Sequence, residues 1–256
     1  MQIYVTYVTF KNNICYICNI VLNMKNFFTQ FDFQCNLLFN ELKNDALQLV
    51  DAVTEPWSIK KGDFLFFENG VPTGIFQIKE GRAKKFKKGF SGDDQIFYIY
   101  TPGDVLGYHA LLGDERYQDS CQALDDLELN FISDENFRML LNKIPALKEA
   151  FIKNISHEFG VLANTIALLA QKNQNARLGV FLVLLDYKFN SKNELSNGID
   201  LTRDDLANVI GTSRESLGRS LKIFKDNKWI SIDKRTIYIK NKIALLKFLN
   251  LEVTAL

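Results

Sequence analysis

Cysteine, proline and histidine are scarce in this sequence of 256 residues, at four, four and two. Four thiols in so long a chain are too few for a disulfide scaffold, and two histidines are too few for a His-rich metal site. No stretch reaches the roughly 18 consecutive apolar residues of a membrane-spanning helix. The apolar segment 14–22 is too short, and no A-x-A-like cleavage site follows it. A cytoplasmic protein without a membrane partner is therefore expected. The patterns G-x-x-x-x-G-K, G-x-S-x-G and H-E-x-x-H are all absent, and the carboxylates are scattered over turns. No catalytic residue can be named and no enzyme is expected.

What is present is an ordinary globular composition, 47% hydrophobic and 24% charged, long enough for two domains. The net charge of +1 conceals an asymmetry. Residues 171–256 hold 15 Lys and Arg against 9 Asp and Glu, whereas the preceding part holds 16 against 21. A basic C-terminal part on an acidic N-terminal part fits a nucleic-acid-binding module joined to a sensing module.

The most specific stretch runs from Leu201 to Lys240. Thr202 is a helix N-cap with Asp205 three residues on, and Leu206, Val209 and Ile210 share one helical face. Gly211 ends that helix and supplies a tight turn. Ser213 caps a second helix with Leu217, Leu221 and Phe224 on its inner face, leaving Arg214, Glu215, Gly218, Arg219, Lys222 and Lys225 outward. Two short helices joined this way form a helix-turn-helix whose second member can read base edges. Trp229 to Ile232 and Thr236 to Ile239 alternate as a hairpin with Lys234 and Arg235 at its tip, the wing of a winged helix.

The run Ser213-Arg214-Glu215-Ser216-Leu217-Gly218-Arg219, with the trailing Lys-Trp-Ile-Ser and the wing, resembles the recognition motif of the Crp/Fnr superfamily of bacterial transcription regulators. The resemblance implies that Arg214, Glu215 and Arg219 read bases. The chemistry agrees, because Arg bonds bidentately to guanine and Glu accepts from cytosine. Thr212, Ser213, Lys222, Lys225, Lys228, Lys234 and Arg235 complete the expected interface with double-stranded DNA, mainly through phosphates. RNA polymerase is the further partner implied by the family.

Between Trp57 and Ile132, Gly62, Gly70, Gly81, Gly92 and Gly103 fall at intervals of 8, 11, 11 and 11, separating short β-prone runs. This predicts an antiparallel sandwich or barrel, with a hairpin tip at Phe90 to Asp94. Lys84, Lys85, Lys87 and Lys88 read as a solvated strand end. With Asp63 and Asp104 at matched turns, and Gly81 and Gly107, the segment resembles the β-roll of cyclic-nucleotide-binding domains. Residues 29–53 read as mostly helical.

Ser133 caps a helix that Pro145 interrupts. Ile152, Ile155, Phe159, Leu162, Ile166 and Leu169 then step by three and four along a long helix, an a/d seam. The resemblance makes this the helix that pairs two copies of the chain. Residues 177–185 form an apolar core helix, 191–198 a polar loop, and Asn241 caps a closing helix. The expected fold is α+β: residues 24–145 a β-roll sensor with flanking helices, 146–171 the dimerisation helix, and 172–256 a winged-helix reader. Residues 1–23, almost uncharged and β-rich, are expected to be a strand-like extension or an artefact of start-codon choice, with Met24 as an alternative start.

Members that bind cyclic AMP carry Gly-Glu and Arg-Ser at the two ends of the pocket segment. Here Gly107 and Ser120 match, but Tyr108 stands at the Glu position and Asp119 at the Arg position. A carboxylate there repels a cyclic phosphate, so an effector other than cyclic AMP, or none, is expected. Its pocket residues would be Gly107, Tyr108, His109, Arg116 and Ser120. No cofactor is assigned. Two alternatives stay open. One is a ligand-binding β-roll whose winged helix has become a protein-interaction surface. The other is an iron–sulfur redox sensor built on Cys15, Cys18, Cys35 and Cys121, whose spacing differs from the oxygen-sensing branch.

Overall fold

The computed structural model describes residues 26–40, 42–89, 92–190 and 198–250. The N-terminal extension, Cys15, Cys18, Met24, the Phe90–Ser91 part of the hairpin tip and most of the 191–198 loop lie outside them.

A helix α1 (Asn44–Asp51) leads into eight strands: β1 (Glu55–Ile59), β2 (Phe64–Phe66), β3 (Gly74–Glu80), β4 (Ala83–Lys88), β5 (Asp94–Tyr100), β6 (Val105–Leu106), β7 (Ser120–Ala123) and β8 (Leu127–Ser133). They form two four-stranded antiparallel sheets ordered β1-β8-β3-β6 and β2-β7-β4-β5. This is the β-roll. One core buries Phe76, Ile78, Tyr100, Leu127 and Leu129 between the sheets, and Ile75 on the other face of β3. The short helix α2 (Tyr108–Leu112) sits between β6 and β7.

Helix α3 (Asp134–Lys143) begins where the Ser133 hydroxyl accepts from the Asn136 N–H. Pro145, at the first turn of α4 (Pro145–Gln171), needs no N–H there and starts the 27-residue helix. The reader follows as α5 (Gln174–Asn190), α6 (Arg203–Ile210), α7 (Arg214–Asp226), β9 (Ile230–Asp233), β10 (Thr236–Ile239) and α8 (Lys242–Phe248). Asn241 caps α8 through the Ala244 N–H. Leu178, Leu182, Leu206, Ile210, Leu217, Phe224 and Leu245 form the reader core. That core also takes in Phe86, Ile96 and Ile99 from β4 and β5, so the two halves share a buried apolar seam.

Two expectations fail in physically instructive ways. Within 29–53, the described residues give the last residue of a helical turn at 26–29, a 3-10 turn at Cys35–Leu37 and the eight residues of α1. Gln34 takes a left-handed φ of 57°, and Phe33 stacks on Tyr98 at 3.9 Å, so packing on the β-roll overrides helix propensity. Lys84 and Lys85 are not a solvated strand end; they are 9% and 6% exposed. Each has a carboxylate partner, Asp205 at 2.7 Å and Asp119 at 3.2 Å.

Candidate nucleic-acid interface and sensor cleft

The two helices α6 and α7 are set by local chemistry. The Thr202 hydroxyl accepts from the Asp205 N–H, and the Ser213 hydroxyl from the Ser216 N–H. Between them Gly211 sits at φ 64°, a left-handed C-cap that favours glycine. With Leu217, Leu221 and Phe224 buried, Arg214, Glu215, Arg219, Lys222 and Lys225 form one exposed face, continued by Lys228 in the turn beyond α7. Arg214 pairs with Asp204 at 3.3 Å, both about two-thirds exposed, and Arg219 donates to the Ser216 hydroxyl at 2.6 Å. Hydrogen bonds from its own backbone N–H and from Ser213 hold the Glu215 carboxyl below its usual range. An exposed face of Arg, Glu and Lys on a helix held by its own core is what major-groove reading requires.

Thr212 is turned partly inward, donating to Gln174 Oε1 at 3.0 Å. Gln174 also donates to the Ser216 carbonyl at 2.6 Å and the Ser220 hydroxyl at 2.7 Å, so the start of α5 fixes α7. No local signal marked Gln174, because its partners lie about 40 residues away.

In the wing, Thr236 pairs with Asp233, leaving Lys234 and Arg235 as a two-residue tip. Both are exposed. Arg235 is not a free cation, however: both its Nε and Nη2 bind the Asp200 carboxylate, the latter at 2.6 Å.

Along α4 the seam divides. Ile152, Phe159 and Ile166 are 59%, 77% and 65% exposed, at steps of seven. Ile155, Leu162 and Leu169 are half-buried. The covered face of α4 carries Phe151, Asn154, Glu158, Val161, Thr165 and Leu168.

A cleft of about 770 Å³ lies between this helix and β2, β4, β5, α2 and the segment 117–119 before β7. Gly107 and His109 line it, as do Lys85, Asp119 and Glu158. The other three expected pocket residues do not. Tyr108 is fully buried in the core, edge-on to Phe151 at 5.1 Å, and its hydroxyl donates to Glu158. Arg116 donates to the Asn69 carbonyl at 2.9 Å on the outside. Ser120 accepts from the Glu68 N–H at 2.9 Å within the β2–β7 sheet edge. Reading along the loop located the segment but not which side chains turn inward. Burial lowers the His109 pKa, reinforced by Lys85 and opposed by its bond to Glu158. Asp119 does occupy the cleft, holding Lys85 rather than offering a cation to a phosphate.

Among the described cysteines, Cys35 and Cys121 are both fully buried. Burial pushes each thiol well above its usual pKa. Among the described residues no three His, Cys, Asp or Glu side chains come together as a metal site, and Cys15 and Cys18 lie outside those residues, so no function is derived through a cluster.

Residues 56–143 match the cyclic nucleotide-binding domain family, and residues 176–248 match the Crp-like helix-turn-helix domain family. The chain is 28% identical over 210 residues to the fumarate and nitrate reduction regulatory protein of Vibrio cholerae, covering 81% of this chain and 83% of that protein. It is also 28% identical over 204 residues to the transcriptional activator Anr of Pseudomonas aeruginosa, covering 78% and 83%. In fold it is similar to FixK2 of Bradyrhizobium japonicum, with a TM-score of 0.66 at 18% identity over 76% of this chain and 96% of that one. A Crp/Fnr-family regulator of Thermus thermophilus gives 0.59 at 21% identity, over 77% and 98%.

Proposed function

Because the chain belongs to the Crp/Fnr superfamily of DNA-binding transcription regulators, which are not enzymes, we propose that it acts as a homodimer reading an inverted-repeat operator. The observation that carries this reading is the outward face of α7. Arg214, Glu215 and Arg219 are exposed while every apolar residue of the inner face is covered. Arg219 and Arg214 would bond to guanine and Glu215 to cytosine, each good bidentate pair discriminating by about 1–3 kcal/mol. Lys222, Lys225, Lys228 and Lys234 would contact phosphates, setting register and salt dependence without selecting sequence. RNA polymerase is the protein partner we assign to the DNA-bound form.

The exposed stripe Ile152, Phe159 and Ile166 supports pairing through α4, since large apolar residues repeating every seven positions match a coiled-coil seam. Two copies related by a two-fold axis would place their recognition helices in successive major grooves, about 34–36 Å apart. A cleft effector other than cyclic AMP would shift this dimer between states by binding one better than the other. Asp119 on the Lys85 ammonium is what disfavours a cyclic phosphate.

Selection of random duplexes on the purified protein tests the reading. Enrichment of a two-fold-symmetric motif is expected. Failure to enrich any motif would favour the winged helix as a protein-interaction surface.

A further inference from the structure

The reader is tied to its own β-roll by charges exchanged in both directions. From the β-roll, Lys84 of β4 reaches Asp205 of α6 at 2.7 Å, with the two residues 9% and 7% exposed. From the reader, Lys188 of α5 reaches Asp32 at 2.8 Å and Asp104 at 3.2 Å, and lies over the Tyr98 ring. Gln95 of β5 adds a bond from its amide to the Asn208 carbonyl at 2.7 Å. Phe86, Ile96 and Ile99 fill the space between with Leu206, Val209 and Ile210. The Lys84, Gln95 and apolar contacts grip α6, the Lys188 contacts hold α5, and only Gly211 to Ser213 separate α6 from the recognition helix. Whatever holds α6 also holds α7.

The docked position has an electrostatic consequence at the wing. Arg82 of the β-roll clamps Asp125 with bonds of 2.6 and 3.0 Å and also donates to the Asp200 carbonyl at 3.2 Å. Asp200 in turn holds Arg235. Docking thus brings the carboxylate of Asp125 close enough for its field to act on Arg235. A phosphate approaching the wing tip meets the β-roll carboxylate of Asp125, which an undocked reader would leave behind.

We propose that the reciprocal pairs Lys84–Asp205 and Lys188–Asp32/Asp104 form an intrachain latch that holds the reader against its own β-roll in a state of low DNA affinity. Release of the latch frees α6, α7 and the wing to adopt the spacing that two half-sites demand. The latch lies on the same strand as the cleft: Lys84 faces the reader, while its neighbour Lys85 faces Asp119 in the cleft wall, and Gln95 touches both spaces. Successive residues of a strand point to opposite sides, so one ribbon serves both.

The inhibitory role rests on the DNA-binding reading, so the experiment carries a second readout that does not. Lys84→Met keeps the aliphatic stem and leaves Asp205 buried without its partner, and Lys84→Met/Asp205→Asn then removes the stranded charge. Gln95→Ala is a milder release that leaves both ion pairs intact. Hydrogen exchange of residues 203–210 reports docking, exchange of 127–133 reports an intact β-roll, and fluorescence anisotropy with a selected duplex reports affinity. Lys84→Met and Gln95→Ala are expected to speed exchange in 203–210 alone and to tighten duplex binding, by about fivefold or more for Lys84→Met. The double variant is expected to return part of the way to wild type. Unchanged exchange in 203–210 would overturn the latch. Faster exchange with weaker or equal binding would overturn its inhibitory role. Faster exchange with no duplex bound by any form would sink the DNA-binding reading and the inhibitory role together, leaving the docking contact established.

Discussion

Asp200 holds Arg235 of the wing tip through both of its carboxylate oxygens, Oδ2 at 2.6 Å from Nη2. The Arg235 hydrogen bonds hold the Asp200 carboxyl below its ordinary pKa, and the same bonds raise that of Arg235. A cation so engaged does not neutralise a phosphate until the pair opens. Asp200→Asn is therefore expected to release Arg235 and steepen the plot of log affinity against log salt by about one phosphate equivalent. Titrations at several salt concentrations check this; an unchanged slope would show that the pair already opens on DNA or that Arg235 reaches no phosphate.

Lys234, beside it, has no ion pair among the described residues and is exposed. Lys234→Ala should flatten the salt slope by about one unit while the preferred sequence stays the same. An altered preference, seen by repeating the duplex selection, would contradict its assignment to phosphate.

Arg219 lies on the exposed face of α7 and donates to the Ser216 hydroxyl. Arg219→Ala is expected to relax base preference at one position of each half-site, costing about 1–3 kcal/mol there. Equal weakening on every sequence, measured by competition among single-base variants of the operator, would remove its base-reading role.

Phe159 is 77% exposed at the centre of the Ile152–Phe159–Ile166 stripe. Phe159→Glu should leave the fold intact, because the side chain has little to lose within its own chain. It should convert a dimer to a monomer in sedimentation and cut operator affinity by roughly 100-fold or more, as the second half-site no longer binds in tandem. A wild-type monomer would contradict the pairing.

The Lys188 cluster gives a pH signature. Burial opposes ionisation of Asp32, but Lys188, with Tyr98 and His157, outweighs it and holds the carboxyl below its ordinary value. Burial likewise opposes the Lys188 ammonium, and Asp104 and Asp32 outweigh it, raising its pKa. A depressed carboxyl contributes stability above an unfolded pKa of about 3.9, lost as pH falls through the lower folded value. A raised ammonium contributes below about 10.4, lost as pH rises through the higher folded value. Thermal melts of wild type and Lys188→Met should differ most between about pH 4 and 10 and converge in acid; a constant difference down to pH 2 would deny the cluster its role.

The recognition helix was legible because its signals are local. Thr202, Gly211 and Ser213 each act within three or four residues, and the structure shows each cap where the sequence placed it. Lys84 and Lys85 were misread because a charge run says nothing about partners. Asp205 lies 121 residues from Lys84 in the chain, and only the fold brings the two together. The long helix was half legible. Its exposed stripe is wholly apolar and easy to see, whereas its buried stripe includes Asn154, Glu158 and Thr165, which a hydrophobic pattern cannot register. Glu158 is buried because Tyr108, His109 and Asn154 all bond to it. That cluster also explains why Tyr108 left the pocket for the core.

Hydroxyl-radical footprinting on a duplex recovered by selection addresses the paired-reader interpretation most directly. Two protected patches of equal strength, centred one helical turn apart and both lost on Phe159→Glu, are expected. A single patch, or protection that follows no symmetry in the bound sequence, would contradict it.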